Sequence, residues 1–167
     1  MPGRHDHDSV DEIIDRWRAK RPELDLSPIA IIGRIVRAAR LVVLASDEYL
    51  AEYGLSRGEF DILSALRRYD EPLTPSALTA AVLASPAATT KRLHSLRSRG
   101  LVERSVNPDD RRSALVRITA AGTATIDLVM PAQLAVEAEL LTTLDDADNA
   151  ALADALRQLL AAWERRI

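Results

Sequence analysis

Apolar residues recur along this chain at helical spacing, and the stretches break at residues that cap helices. Val10, Ile13, Ile14 and Trp17 form a stripe behind Ser9, which makes a capping box with Glu12, and Pro22 ends the run. A helix over 9–22 is predicted, too short to stand alone, with Trp17 as the anchor that docks it. A second helix is predicted from about Ser27-Pro28 to Tyr53, closed by Gly54. Ile29, Ile32, Val36, Ala39, Val43 and Leu50 make one of its stripes. Ile31, Ile35, Ala38, Val42, Ala45 and Tyr49 make another, so this helix must be covered on two sides. Ser56 and Glu59 open a third helix, SRGEFDILSALRRY, whose core set is Phe60, Ile62, Leu63 and Leu66. Asp61 stands beside that set as an acid in a first turn, where the macrodipole favours it.

The second half of the pattern changes period. Thr74-Pro75 opens a short helix to about Ala81, and a tight turn through Val82-Leu83-Ala84 leads to Ser85-Pro86, an N-cap followed by the residue suited to a first helical position. The helix that follows puts Leu93 and Leu96 on one face and runs to Gly100. Thr89, Thr90, Lys91, His94 and Arg97 fall largely on the other faces. LVERSV and ALVRIT then alternate at period two around the polar segment Asn107–Ser113, which reads as a hairpin. Two helices joined by a short turn, the second basic and followed by a charged hairpin, outline a helix-turn-helix with a wing. Beyond Thr119-Ala120-Ala121-Gly122 a long helix is predicted to about Thr143, bent at Pro131. A last helix from Leu144-Asp145 carries Leu152, Leu156, Leu159, Leu160 and Trp163 on one side.

The predicted class is mainly α with a small β-wing. Residues 1–8 form a disordered tail, 9–22 an added helix and 55–118 the winged helix-turn-helix. Segments 27–53 and 119–167 are too long and apolar to serve the winged core alone, and are predicted to form a homodimer interface.

Charge sharpens this outline. The chain has 22 Lys and Arg against 25 Asp and Glu. Between Ser85 and Arg117 stand eight of those basic residues (Lys91, Arg92, Arg97, Arg99, Arg104, Arg111, Arg112 and Arg117) and only three of the acids (Glu103, Asp109 and Asp110). An acidic protein with one basic segment has a local field to which a phosphate backbone responds, so double-stranded DNA is the leading partner. The rival, a helical protein-interaction module, differs in salt response, because a packed protein interface is barely weakened by salt.

Other chemistries fall away. The chain has no Cys, three His in unhelpful positions and no glycine-rich phosphate loop, which argues against an enzyme and against a bound cofactor. His5 and His7 flank an acid, but a mobile tail with no further ligand is better read as solvated than as a metal site. No apolar run reaches about 20 residues and the N-terminus lacks the apolar core of a signal peptide, so a cytoplasmic protein without a membrane span is expected.

The run GLVERSVNPDDRRSALVRITAAG resembles the wing signature of the MarR family, of the form GLV-x-R, then D-x-R-[RS], a strand, and LT-x-x-G. Ile118 stands where the family usually has Leu. The resemblance implies a homodimeric winged-helix repressor on a palindromic operator with half-sites about one turn apart. It places Ser85, Thr89, Thr90 and Lys91 on the groove-facing side, with Arg97 on the same basic helix. Arg111 and Arg112 become wing contacts in the minor groove, and Asp109 orients the loop.

The added helix with Trp17 is similar to that of the urate-responsive (UrtR, PecS-like) subfamily. Trp17, Asp61, Arg92 (eight residues before Gly100) and Arg104 match that subfamily's four ligand-site residues. An indole face and a forked cation suit a planar anion such as urate, and an acid beside the anion supplies repulsion that could release DNA. A phenolic or carboxylic acid is the alternative ligand.

Overall fold

The structure, a computed structural model, describes residues 7–108, 110 and 112–166. Among them run α1 (Ser9–Lys20), α2 (Ser27–Ala51), α3 (Arg57–Tyr69), α4 (Pro75–Ala81) and α5 (Pro86–Ser98). The hairpin strands β1 (Val102–Val106) and β2 (Ala114–Ile118) follow, then α6 (Ala120–Leu140) and α7 (Asp146–Glu164). A mainly helical chain with one small antiparallel hairpin is the class the pattern predicts. The chain divides into two compact units, one reaching to Ala45 and one starting at Ser46, so the division falls inside α2.

In the first unit the start of α1 is set one residue earlier than the pattern suggests. Asp8, not Ser9, is the N-cap: its carboxylate accepts the N–H groups of Val10 and Asp11, and Asp11 returns a bond to the Asp8 backbone. A carboxylate at this position also complements the helix dipole, an advantage Ser9 lacks. Asp8 therefore does not belong to a disordered tail; the rest of that expected tail, His5 included, lies outside the described residues except His7, whose Nε2 meets Asp15 at 3.0 Å. Arg34 of α2 ties the capping acids down, bonding Asp8 at 2.9 Å and Asp11 at 2.7 Å. The apolar anchors of α1 are Val10 and Ile14, both buried, whereas Trp17 is 48% exposed. The expectation that Trp17 anchors the helix is thus corrected: it lies beyond the buried stripe.

The second unit is built on the predicted core. Phe60, Ile62, Leu63 and Leu66 of α3 pack with Leu78, Leu96, Val102, Val116, Ile126 and Val129. Each fully buried Leu or Ile of such a cluster contributes roughly 1.5–3 kcal/mol relative to exposure. Ser56 caps α3 in the predicted box with Glu59, Thr74 caps α4, and Ser85 accepts the Ala88 N–H at 3.2 Å to cap α5. The hairpin pairs Val102 with Ile118 and Val106 with Ala114, and Leu73 adds a bridge to Val116 through two backbone bonds of 2.9 and 2.8 Å.

The join of hairpin to α6 explains the glycine of the LT-x-x-G pattern. Thr119 caps α6 by accepting the Gly122 N–H, and its hydroxyl donates to the Gly100 carbonyl at 2.7 Å. A Cβ on Gly122 would stand 2.1 Å from the Leu101 carbonyl oxygen, so only glycine lets the helix close on the strand base. Helix α6 continues past Pro131, and α7 has no buried residue among those described. Among the described residues no helix is long and apolar enough to cross a membrane.

Candidate functional site

The helical spacing of α5 sorts its side chains into an inner and an outer face. Thr89, Leu93 and Leu96 follow one another at four and three residues, and Thr89 and Leu96 are both buried, with Leu93 packed against the core. Thr89 is 1% exposed and its hydroxyl lacks a partner, which corrects its placement on the groove-facing side: it is a core residue of the helix. Thr90, His94 and Arg97, spaced at four and three on another side, are exposed, as are Ser85 and Lys91. Ser85 presents a hydroxyl already committed to the cap.

The wing adds cations to the same segment. Arg112 is exposed, and the turn that carries it is braced by Asp110, whose carboxylate accepts the Arg112 N–H at 3.0 Å and whose carbonyl accepts the N–H and hydroxyl of Ser113. Asn107 Nδ2 closes the turn on the Ser113 hydroxyl at 2.9 Å. Asp110 thus braces the turn. Asp109 and the expected contact Arg111 lie outside the described residues.

Within the second unit, Arg104, Arg92 and Asp61 line three different cavities. Arg104 opens on a cavity of about 250 Å³ between α5 and the hairpin, with Pro75, Thr90, Leu93, His94 and Arg97. Arg92 lines another, of about 370 Å³, with Ser56, Glu59, Lys91 and Ser95. Its guanidinium lies across the first turn of α3: a Cβ on Gly58 would fall 2.1 Å from the Arg92 Cζ, so the bare glycine is what gives the arginine its seat. Beneath it Glu59 is buried. It accepts the Ser95 hydroxyl at 2.6 Å from α5, and its other oxygen takes the Ser56 N–H and hydroxyl. Burial works to raise the Glu59 pKa, but the bonds from Ser95 and Ser56 outweigh it and hold the carboxyl below its usual value.

Asp61 lines a third cavity, of about 400 Å³, and its partner is an arginine the sequence did not single out. Arg57 Nε donates to Asp61 at 2.9 Å, one turn away on the same helix. The Arg57 Nη1 donates to Ser46 at 3.0 Å and to Glu137 of α6 at 2.9 Å, while its backbone N–H meets Asp47. Burial pulls the Arg57 pKa down, yet Asp61 and Glu137 prevail and keep it above its ordinary value. Gln133 completes the set. It is 1% exposed, its Nε2 donates to Ser46 at 2.8 Å and to Glu137 at 3.1 Å, and its Oε1 has no partner. The i, i+4 spacing of Arg57 and Asp61 was there to be read; Glu137, eighty residues away, gave no signal. Trp17 belongs to the first unit, where its ring is half exposed.

Comparison with known proteins bears on this arrangement. A model of the MarR family matches residues 53–113, which take in the helix-turn-helix and the wing as far as the start of β2. The HTH-type transcriptional regulator PecS of Dickeya dadantii is 32% identical over 160 residues, covering 95% of this chain and 94% of that protein. The multiple antibiotic resistance protein MarR of Escherichia coli is 33% identical over 101 residues, 56% of this chain and 69% of that one. A crystal structure of an Escherichia coli MarR variant with operator DNA superimposes with a TM-score of 0.71 at 28% identity, covering 82% of this chain and 99% of that chain.

Proposed function

The chain belongs to the MarR family of winged-helix transcriptional regulators, and from that premise we propose that it is a homodimeric repressor released from a palindromic operator by a small anion such as urate. The observation that carries the DNA half is the exposed row Thr90, His94 and Arg97 on α5, continued by Arg112 on the wing. Small hydroxyls and cations on a helix suit base edges and phosphates, and an arginine at a hairpin tip suits a narrow minor groove. The apolar residues left exposed on α6 and α7, among them Leu128, Leu134, Leu152 and Leu160, support the dimer. Urate is supported by the resemblance carried by Trp17, Asp61, Arg92 and Arg104. The indole face of Trp17 is available for stacking, and Arg92 offers a forked cation.

The test is a titrated gel shift on the DNA flanking the protein's own gene, with and without urate. Arg112→Ala should weaken DNA binding about tenfold. Arg92→Ala and Trp17→Phe should blunt release by urate more than they weaken DNA binding. Equal behaviour of the two groups would overturn the division of roles, and release by a phenolic or carboxylic acid alone would replace urate.

A further inference from the structure

A ligand-driven release needs a contact that an anion can break and that crosses between helices. Asp61 does not supply one: its arginine sits on its own helix, so parting them moves α3 against nothing. Two arginines of α3 cross to α6: Arg67 pairs with Asp127 near the start of α6, on the exposed surface, and Arg57 reaches Glu137 from the first turn of α3, in the cavity wall. We propose that Arg57 is the pivot of the response: an anion entering the cavity beside α3 takes the guanidinium from Glu137 and so unfastens α6 from the first turn of α3. This rests on the ligand-released reading above, and it takes from the residues matched there Asp61, which lines this cavity, while Arg92 and Arg104 line others.

Three observations carry it. The cavity of about 400 Å³ is lined by two cations, Arg57 and Arg68, and two carboxylates, Asp61 and Glu137, so a further anion fits only if a carboxylate yields its place. The α6 stripe facing α3 runs Ile126, Val129, Gln133 and Glu137, at spacings of three, four and four. Ile126 and Val129 belong to the apolar core, whereas Gln133 and Glu137 are polar, so the seam can open at its ionic end while the core stays closed. Finally, the buried Gln133 carbonyl has no donor among the described residues. The seam therefore holds an unpaired buried acceptor at its ionic end, which makes that end the less costly to open. Arg57 is then a ligand-binding residue. Glu137 is a positioning residue, acting on DNA only through the fastening of α6.

The experiment uses the full-length protein, its operator fragment, and urate as probe, with salicylate as second probe. Glu137→Gln keeps the size and removes the charge. It should bind the operator about tenfold more weakly without any ligand, equivalent to about 1.4 kcal/mol, and respond less than twofold to urate. Asp61→Asn should separate binding from release. With its neighbour neutral, Arg57 can accept the anion without leaving Glu137, so calorimetry should show urate bound at least threefold more tightly while release falls by more than half. A merely structural role for these residues moves stability and leaves that split unmoved. Should Glu137→Gln fail to fold, Arg57→Lys gives the same reading, since an ammonium does not reproduce the fork that spans Asp61, Ser46 and Glu137. Wild-type operator affinity in the variant that folds overturns the pivot. Failure of the wild-type protein to bind either probe overturns the ligand reading, while the ligand-free comparison still decides the fastening.

Discussion

The winged face of α5 and the seam between α3 and α6 are both organised by arginine, and they use it in opposite ways. On the winged face Arg97 and Arg112 are exposed and stand outside the ion pairs of the described residues, so their charge is directed outward. At the seam Arg57 is three-quarters buried and already divided between Asp61, Ser46 and Glu137. An exposed cation waits for a polyanion to arrive; a saturated one can answer only by exchanging partners. The first arrangement suits grip and the second suits a switch.

The largest effect should come from the hinge between those regions. Gly122→Val drives a side chain into the Leu101 carbonyl, and should lower the free energy of unfolding by about 3 kcal/mol in urea; a loss below about 1 kcal/mol would mean that hairpin and α6 are joined more loosely than they are drawn. Next, Arg97→Ala should weaken operator binding about tenfold and make the salt dependence shallower by about one phosphate. An unchanged slope would remove Arg97 from the phosphate contacts.

The buried link between the regions has a pH signature. Because Glu59 is held below its usual value, its contribution is complete above the ordinary Glu pKa of about 4.3 and is lost as pH falls through the lower folded value. Melting temperatures should therefore show the advantage of wild type over Glu59→Gln at pH 7 and its shrinkage below about pH 4; a difference that stays constant as the pH falls well below about 4 would show that the charge contributes nothing. The smallest change should be Thr89→Val, which removes an unpartnered buried hydroxyl. It should be neutral or stabilising by up to about 1 kcal/mol and leave operator affinity within about twofold. A tenfold loss of affinity would return Thr89 to the groove.

The two regions also differ in how far they could be read from the chain. Ser56 with Glu59, Thr74-Pro75 and Ser85-Pro86 are local devices, complete within four residues, and each predicted helix start they mark is present. The helical class and the small hairpin follow from them. The small hydroxyl of Thr89 suggests a groove contact, but its spacing, four residues before Leu93 and seven before Leu96, puts it in the core. Ser9 and Asp8 are both capping residue types, and only the dipole and Arg34 favour the acid. The seam was illegible for a different reason. Ser46, Arg57, Gln133 and Glu137 are joined across distances of up to 87 residues, and nothing periodic marks a polar residue that happens to end a buried stripe.

The claim on which the whole account turns is that the exposed cations of α5 and the wing grip a duplex through its phosphates. Titrating a labelled operator fragment against the protein between 50 and 200 mM salt tests it most directly, and the account predicts that affinity falls by at least about a hundredfold over that range. A change of less than about threefold would contradict it and point to a packed protein interface in place of DNA.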